Sequence, residues 1–588
     1  MENNEVNNSD SESTFVSHTD IIKYAVEYLN VLMLSILIAV FVAYRIYKKD
    51  IKWWQKIMMV LAPVIAGYAI EFVINSPKPT YRFMQSALAM KHESMNASHD
   101  IKKGTWPFVG SAVITLNGID HLFIGGGQSQ GDFLMKHVSG EFVNIIKNTG
   151  LQKSGKMPAT FCAVAFDFNG NGLEDLVVGR EHEVTLYEQI EPLKFVPHVL
   201  ITKYDRNPLS LTISDFNKNK KPDIYISYFT LSSEYKGSIF NDPSHNRSNV
   251  LLQNISTSDK IQFKNVTKET NSGGLYNTFT SAFVDLDNKG YPDIVLSHDS
   301  GEIEILKNIN GKRFESIIPY NKKGNWMGLG IGDINGNGKP DLFLTNIGDD
   351  IKRNKMSLGD IKKGQQQDFS HVLLQNEGDF KFKNVLKSKQ ISGDGFGWGA
   401  LMADINLQST NDIIFGENFM LNPLHWLFPG IGYYYENMGS YFRRRFKFNN
   451  PSFSQTPIIA DLTNNGLMDL VWINMKGKHY INYAEHKKKR FITIKLPKTC
   501  EFVNAKVDIN LNNKITDKSN NKTNGKTLYS QIINGGTGFG CGSSHMVTYG
   551  LKNNTVKDIQ IKTIYGDIYS YNGNSKNILS IQDFTKSN

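Results

Sequence analysis

The chain has 588 residues, more than one ordinary domain, and its 40% hydrophobic and 11% aromatic residues are sufficient for a large buried core. Its formal net charge of +9 is modest for this length, and the lysines are scattered among asparagines, which argues against a nucleic-acid-binding protein. Three cysteines argue against both a disulfide framework and a cysteine-based zinc cluster.

The N-terminal part predicts a membrane anchor. Residues 1–24 are acidic and rich in Asn and Ser, which is typical of disorder. The apolar run 28–47 is long enough to cross a hydrocarbon core of about 30 Å, 57–74 is a second, shorter candidate that carries Glu71 near its end, and the loop between them is basic. We therefore expect a transmembrane hairpin over 25–75, in contact with the lipid bilayer. Residues 76–103 are expected to form a juxtamembrane linker, and all that follows to be extracytoplasmic, either periplasmic or extracellular.

Residues 104–492 repeat a unit of strand, turn and strand. Each unit has a β-branched and aromatic run, a short acidic phrase, and a second apolar run. A degenerate copy starts at Ala112 and lacks the acidic positions. Repeats spaced by about 50–70 residues predict an all-β propeller of about seven blades. The six acidic phrases begin at Asp167, Asp215, Asp285, Asp333, Asp404 and Asp461.

The acidic phrases predict calcium sites. Ca²⁺ takes about 6–8 oxygen ligands, and a tight loop can offer side chains at positions 1, 3, 5 and 9, a carbonyl at position 7, and a bend at a glycine in position 6. The loops at Asp167 and Asp333 keep all these features. The candidate ligands there are Asp167, Asn169, Asn171, Asp175 and the Leu173 carbonyl, and Asp333, Asn335, Asn337, Asp341 and the Lys339 carbonyl.

The other four loops depart from this pattern. Lys289 stands at position 5 of one loop, Lys220 replaces the bend glycine of another, and Gln408 and Ser409 occupy the middle of a third. Their candidate ligands are Asp215, Asn217, Asn219 and Asp223; Asp285, Asp287 and Asp293; Asp404, Asn406 and Asp412; and Asp461, Asn465 and Asp469. The alternative for every loop is hairpin turn chemistry without a metal, because Asn-Gly and Asx residues favour such turns.

Two further phrases support a family resemblance. "NVLLQN" near Asn249 and "HVLLQNEGDFKFKNV" from His371 resemble the strand pair that accompanies each acidic loop in FG-GAP/VCBS repeats. That resemblance implies an integrin-α-like propeller of seven blades with Ca²⁺ loops between strands.

The last segment, 493–588, resembles an ASPIC/UnbV module, as found in cartilage-acidic-protein-like proteins. The resemblance rests on Gly535, Gly536, Gly538, Gly540 and Ser544, followed by "TYGL" where that family has an "FGLG"-like strand. The glycine-rich run could bind a ligand through backbone N–H groups or could simply allow close strand packing. No flexible linker separates the repeats from this tail, so we expect the tail to be docked. Cys500 and Cys541 could form a disulfide.

Two functions remain open from the sequence. The first is a membrane-anchored, calcium-binding propeller that docks a protein, a glycan or a subunit of a membrane complex. The second is an enzyme or enzyme accessory with a site in the central channel or at the junction with the tail. Exposed Trp326, Trp398 and Trp426 would favour binding, whereas a channel lined by aromatic residues and carboxylates would favour the second.

Overall fold

The computed structural model describes residues 90–99, 105–152, 157–235, 246–257, 260–348, 367–418, 432–447, 453–485, 489–512, 527–536, 539–573 and 576–587. These residues form an all-β structure, as predicted. They comprise 36 strands, one short α-helix and one 3-10 turn.

Six sheets follow one another along the chain, and each has four antiparallel strands in sequence order. After β1 (Met90–His99), sheet 1 contains β2 (Ser111–Leu116), β3 (Ile119–Ile124), β4 (Phe133–Val138) and β5 (Glu141–Asn144). Sheet 2 contains β6 (Thr160–Phe166), β7 (Asp175–Arg180), β8 (Glu183–Glu191) and β9 (Lys194–Thr202). Sheet 3 contains β10 (Asn207–Ser214), β11 (Asp223–Phe229), β12 (Val250–Asn254) and β13 (Phe263–Asn265).

The next three sheets repeat the same order. Sheet 4 contains β14 (Thr278–Val284), β15 (Asp293–His298), β16 (Gly301–Ile309) and β17 (Arg313–Gly324). Sheet 5 contains β18 (Leu329–Gly332), β19 (Asp341–Leu344), β20 (Val372–Gly378) and β21 (Lys381–Asn384). Sheet 6 contains β22 (Gly397–Ala403), β23 (Asp412–Glu417), β24 (Tyr433–Asn437) and β25 (Phe442–Lys447).

The seventh sheet is completed by the N-terminal strand. It pairs β26 (Phe453–Ala460) with β27 (Asp469–Ala484), and β27 with β1. The two ends of β27 are hydrogen-bonded to each other, since the N–H of Ala484 donates to Oδ1 of Asp469 at 2.9 Å. A straight strand of 16 residues would separate its ends by about 50 Å. β27 therefore doubles back, at Gly477 with φ 82°, and β1 is the fourth strand of this sheet. β1 lies within the predicted linker 76–103.

The seven sheets close into a ring because each packs on the next. Along β11, Ile224 and Ile226 face the cluster shared with sheet 2, while Tyr225 faces the cluster shared with sheet 4. A strand buried on both faces needs a continuous apolar run, which these strands have. Val113 of sheet 1 and Ile458 of sheet 7 lie in one buried cluster, so the last sheet meets the first. The result is a seven-bladed β-propeller.

The tail has its own core between two further sheets. One contains β28 (Phe491–Lys495), β32 (Met546–Gly550) and β35 (Ile578–Ser580). The other contains β29 (Lys506–Asn512), β30 (Thr527–Ile532), β33 (Thr555–Lys562), β34 (Ile568–Tyr571) and β36 (Thr585–Ser587). A 3-10 turn spans Ile581–Asp583, and the short β31 (Cys541–Gly542) pairs in parallel with β2 of sheet 1.

The predicted membrane hairpin is contradicted. Among the described residues, no helix is long and apolar enough to cross a membrane. Their α-helix, α1 (Thr267–Thr270), has four residues and spans about 6 Å, against the ~30 Å of a hydrocarbon core. The expected spans 28–47 and 57–74, like the acidic segment 1–24, lie outside the described residues. The two transmembrane helices and the multi-pass, extracytoplasmic localisation built on them are not retained.

Candidate metal centres beneath the tail

The six acidic loops occupy equivalent places in the propeller. Each joins the first strand of its sheet to the second, so all six lie on the same face of the ring, which we call the loop face. The ninth-position aspartate begins the second strand in every case, as Asp175, Asp223, Asp293, Asp341, Asp412 and Asp469.

The six loops keep one conformation whether or not the sequence pattern is complete. Position 6 is left-handed in all of them, with φ 82° at Gly172 and 78° at Gly338. Lys220 and Ser409, which replace the glycine, adopt the same region with φ 63°. An L-residue there costs about 1–2 kcal/mol, so the rest of the loop must impose this shape.

The aspartate at position 1 closes the turn. Oδ1 of Asp333 accepts a hydrogen bond from the N–H of Gly336 at 2.8 Å, and Oδ2 accepts one from the N–H of Gly338 at 2.7 Å. The carboxylate of Asp167 is bonded in the same way to Gly170 and Gly172. These bonds hold the first carboxylate inside the loop.

The aspartate at position 9 ties three strands together. Oδ2 of Asp341 accepts from the N–H of Ile334 at 2.9 Å, and Oδ1 accepts from the N–H of Asn376, on the third strand, at 2.7 Å. Asp341 is fully buried. The other ninth-position aspartates bond to the third strand of their own sheets, so this residue serves the fold even without a metal.

Asparagines at loop positions 3 and 5 accept hydrogen bonds from backbone N–H groups two residues later, as expected both for a calcium loop and for a metal-free turn. Oδ1 of Asn335 accepts from the N–H of Asn337 at 3.1 Å, and Oδ1 of Asn337 accepts from the N–H of Lys339 at 2.9 Å. Equivalent bonds form in the other loops where Asn stands at positions 3 or 5, at Asn169, Asn171, Asn217, Asn219, Asn406 and Asn465. An amide oxygen has two lone pairs, so each retains one for a cation.

The electrostatics of the loops suit a cation. The pKa of Asp175 and of Asp341 is raised to about 7, mainly by burial and to a smaller extent by the neighbouring first-position aspartate of each loop. Burial also raises the pKa of Asp167 and Asp333. Two buried carboxylates side by side without a compensating positive charge are costly, and a divalent cation between them would remove that cost.

The loop at Asp285 brings three carboxylates together. Ligand oxygens of Asp285, Asp287 and Asp293 lie within 4.8 Å of one another, and no other such group of acidic, His or Cys side chains occurs among the described residues. Burial raises the pKa of Asp285 to about 6 and that of Asp293 well above its usual range. Lys289 Nζ lies 2.7 Å from Oδ2 of Asp287, but the lysine side chain is 66% exposed and can be displaced. The site fits a divalent cation.

The tail docks onto the loop face, as the missing linker predicts. The Tyr565 hydroxyl donates to Oδ2 of Asp215 at 2.7 Å, and the N–H of Gly550 donates to Oδ2 of Asp404 at 2.9 Å. The N–H of Asp167 donates to the Lys498 carbonyl at 2.9 Å. The sequence predicts docking, but nothing in it indicates that these particular residues contact the acidic loops.

The glycine-rich run of the tail enters the central channel. The carbonyls of Gly535 and Gly540 accept hydrogen bonds from Ile213 and Ala163, which lie on the first strands of sheets 3 and 2. A Cβ would lie 2.1 Å from the Ile213 carbonyl oxygen at Gly535, and 2.5 Å from the Phe161 carbonyl oxygen at Gly540. Close packing therefore accounts for these glycines; Gly538 lies outside the described residues.

Phe539 anchors this run in an aromatic cluster at the centre of the ring. Its ring centroid lies 4.9 Å from Phe108, 5.3 Å from Phe279 and 5.6 Å from Trp398. The cluster contains residues of sheets 2, 3, 4, 6 and 7, and residues next to the strands of sheets 1 and 5. The channel is thus filled here by apolar side chains, which removes support for an active site at this level.

Three other sequence expectations have clear outcomes. Trp326 and Trp398, whose exposure would have favoured a binding function, are buried, and Trp426 lies outside the described residues. Cys500 and Cys541 are free and do not pair. The Cys500 thiol lies 3.1 Å from the Tyr565 hydroxyl, whereas that of Cys541 faces the carbonyl of Val109.

Comparison with known proteins supports the repeat assignment. The model of the FG-GAP-like repeat matches residues 167–226 and 262–344, which include the loops at Asp167, Asp215, Asp285 and Asp333. These segments are FG-GAP-like repeats. The fold is accordingly an FG-GAP β-propeller. The matched part does not include the tail.

Solved structures give only weak similarities. A lectin from Agrocybe aegerita that recognises non-reducing terminal N-acetylglucosamine is 16% identical, with a TM-score of 0.36, over 63% of this chain and 85% of the lectin. BBS1N in complex with ARL6DN is 10% identical, with a TM-score of 0.38, over 66% of this chain and 94% of BBS1N. These similarities are too low to indicate a function. A search of curated proteins finds no match.

Proposed function

We propose that this chain is a calcium-stabilised FG-GAP propeller that binds a protein or glycan partner. The observation that carries the calcium part is the cluster of Asp285, Asp287 and Asp293, in which buried carboxylates are held within 4.8 Å. The loops at Asp167 and Asp333 support it, since each retains four side-chain oxygens and the left-handed glycine. Calcium there would neutralise buried charge and brace the first two strands of each sheet.

The partner is expected on the face opposite the loops. The tail covers parts of the loop face, whereas the connections between consecutive sheets lie on the opposite one. Two of these connections carry exposed apolar side chains, Tyr204 at 76% and Leu275 at 47% exposure. Tyr204 packs on the His182 ring, with centroids 5.6 Å apart. An exposed aromatic side chain that packs on a neighbouring ring can form a hot spot for a protein partner or stack on the apolar face of a sugar.

The tail is part of the proposal. Its glycine-rich run and the "TYGL" strand Thr548–Leu551 support a relation to ASPIC/UnbV modules. In this protein the module closes the channel and braces the loop face, so it is a structural cover for the propeller.

A site at the junction with the tail supports a second candidate function, an enzyme or enzyme accessory. A cleft of about 780 Å³ opens there between the Asp167 loop, sheet 3 and the tail, and its lining includes Cys500, Tyr565 and Lys586. Burial raises the pKa of the Cys500 thiol and of the Tyr565 hydroxyl, which keeps both groups neutral near pH 7. Neutral groups of this kind suit ligand binding better than nucleophilic attack.

Thermal unfolding with and without calcium tests the leading proposal. The full chain is expected to melt at a higher temperature in Ca²⁺ than in excess chelator. In Asp333→Asn, which removes a charge while keeping the side-chain size, the difference between the two conditions is expected to shrink. Glu141→Gln is the matched control, because Glu141 is exposed and remote from the loops. Equal melting temperatures of the wild-type chain in calcium and in chelator would refute the calcium proposal.

A glycan array tests the binding face. Wild-type protein is expected to bind a subset of immobilised glycans, with binding reduced in Tyr204→Ala. Val199→Ala is the control, since Val199 is also well exposed, at 60%, but lies on the outer strand of sheet 2. A signal unaffected by Tyr204→Ala would place glycan binding elsewhere, and an array without signal would favour a protein partner.

A further inference from the structure

Two lysines of one short segment lie against two of the degenerate acidic loops. Residues 489–498, which we call the junction segment, lead from the propeller into the tail and contain β28. β28 pairs with β32 and β35, so its side chains have a fixed register over the loop face. Lys489 lies at the loop of sheet 6, and Lys495 lies at the loop of sheet 7.

Lys495 forms an ion pair with the first-position aspartate of its loop. Its Nζ lies 2.6 Å from Oδ2 of Asp461 and 3.0 Å from Oδ1 of Asn464. The Asp461 side chain is fully buried. The Thr493 hydroxyl also donates to the carbonyl of Gly466 at 2.5 Å, which fixes β28 against the same loop. The ammonium group is therefore built into this site by the docking of the tail.

Lys489 makes a comparable contact in the neighbouring loop. Its Nζ donates at 2.5 Å to the carbonyl of Asn406, the third residue of the Asp404 loop. Oδ2 of Asp404 also accepts the N–H of Gly550, and the Ser409 hydroxyl donates to the carbonyl of Gly550. Polar groups of this loop are thus hydrogen-bonded to the junction segment and to the tail.

The loops with the complete pattern differ. The carboxylates of Asp167 and Asp333 are bonded to loop N–H groups, and neither forms an ion pair with a Lys or Arg among the described residues. The chain thus supplies a largely enclosed positive charge at the Asp461 loop, where Lys495 is 27% exposed, whereas Lys289 at the Asp285 loop is 66% exposed and can be displaced. A cation at 2.6 Å from a first-position carboxylate repels a divalent ion from that carboxylate.

We propose that Lys495 is a built-in counter-ion that takes the place of calcium at the Asp461 loop, with Lys489 acting similarly at the Asp404 loop. These two loops are then metal-free in the docked protein, and calcium is restricted to the remaining ones. The statement about the remaining loops rests on the proposed function; the statement about Lys495 does not.

The test converts the lysine site into a metal site. Lys495→Met keeps the length of the side chain and removes its charge, leaving Asp461, Asn465 and Asp469 without a counter-ion. Bound calcium per chain is measured by equilibrium dialysis, and the melting temperature is measured in chelator and in calcium. Lys557→Met is the matched control, because Lys557 is exposed on β33, away from the loops.

The proposal predicts that Lys495→Met melts several degrees lower than Lys557→Met in chelator, recovers most of this loss in calcium, and binds one additional ion. If wild-type protein binds no calcium but Lys495→Met binds one, the counter-ion is established while the proposed function is overturned. A loss of stability without recovery in calcium, or no difference between the two variants, overturns the counter-ion. Should Lys495→Met fail to fold, Lys489→Met provides the same comparison.

Discussion

Replacing Phe539 with alanine is expected to release the tail from the propeller. The Phe539 side chain is fully buried, and its ring contacts Phe108, Phe279 and Trp398 of the propeller. Burial of this side chain therefore stabilises the protein only when the tail is docked. Removing it should weaken docking while leaving the core of the tail intact.

The size of the effect follows from the burial. Phe→Ala substitutions at fully buried positions cost about 3–5 kcal/mol. Each 1.4 kcal/mol changes an equilibrium by about tenfold, so the population of the undocked tail should rise by about two to three and a half orders of magnitude. Collapse of the aromatic cluster into the vacated space would bring the value toward the lower limit.

Hydrogen exchange of backbone amides measures this population. The N–H groups of Ile213 and Ala163 donate to the carbonyls of Gly535 and Gly540, so they lose their partners when the tail leaves. Their exchange in Phe539→Ala should accelerate by the factor above. Phe502→Ala is the control, since Phe502 belongs to the core of the tail itself. Rates in Phe539→Ala within threefold of wild type would show that Phe539 does not hold the tail in place.

Two further predictions concern the same junction. Burial, with the nearby charge of Lys498, lowers the pKa of His545 to about 3. Below pH 6.5 the unfolded chain therefore binds a proton that the folded chain does not, and the free energy of unfolding falls by up to about 3 kcal/mol at pH 4.5. The stability of His545→Asn should therefore fall less between pH 7 and 4.5 than that of the wild type, and parallel curves would contradict this. Gly540→Ala should lower the melting temperature more than Gly566→Ala, because both glycines have positive φ but a Cβ meets the Phe161 carbonyl only at Gly540. Equal losses would show that the channel accommodates the methyl group.

The repeat unit could be predicted because it is local. The acidic phrase, the left-handed bend and the flanking apolar runs all lie within about fifteen residues, and together they define the turn between two strands. The strand that begins at Asp341 and the turn that begins at Asp333 are therefore visible in the sequence. The departures at Lys220 and Ser409 weaken the metal pattern without changing the loop, because hydrogen bonds to the first-position aspartate impose the same shape.

Long-range partners could not be predicted in the same way. β1 joins β27 across almost four hundred residues, and its sequence, Met90–His99, has no regular apolar alternation. The insertion of Phe539 into the channel likewise depends on the whole ring, since its neighbours come from sheets far apart in the chain. The glycine-rich run suggested close packing but did not indicate where the packing occurs.

The shape of an acidic loop does not depend on a complete metal-binding pattern. Asp461 closes its turn through the N–H groups of Asn465 and Gly466, as Asp333 does through those of Gly336 and Gly338. The same carboxylate that could bind calcium also closes the turn, so the first-position aspartate has a structural role with or without a metal. What differs between the two loops is the source of the compensating charge. Lys495 supplies it at Asp461, and the Asp333 loop has no equivalent lysine among the described residues. Under the counter-ion role proposed for Lys495, calcium occupancy would depend on the surroundings of a loop as much as on its pattern.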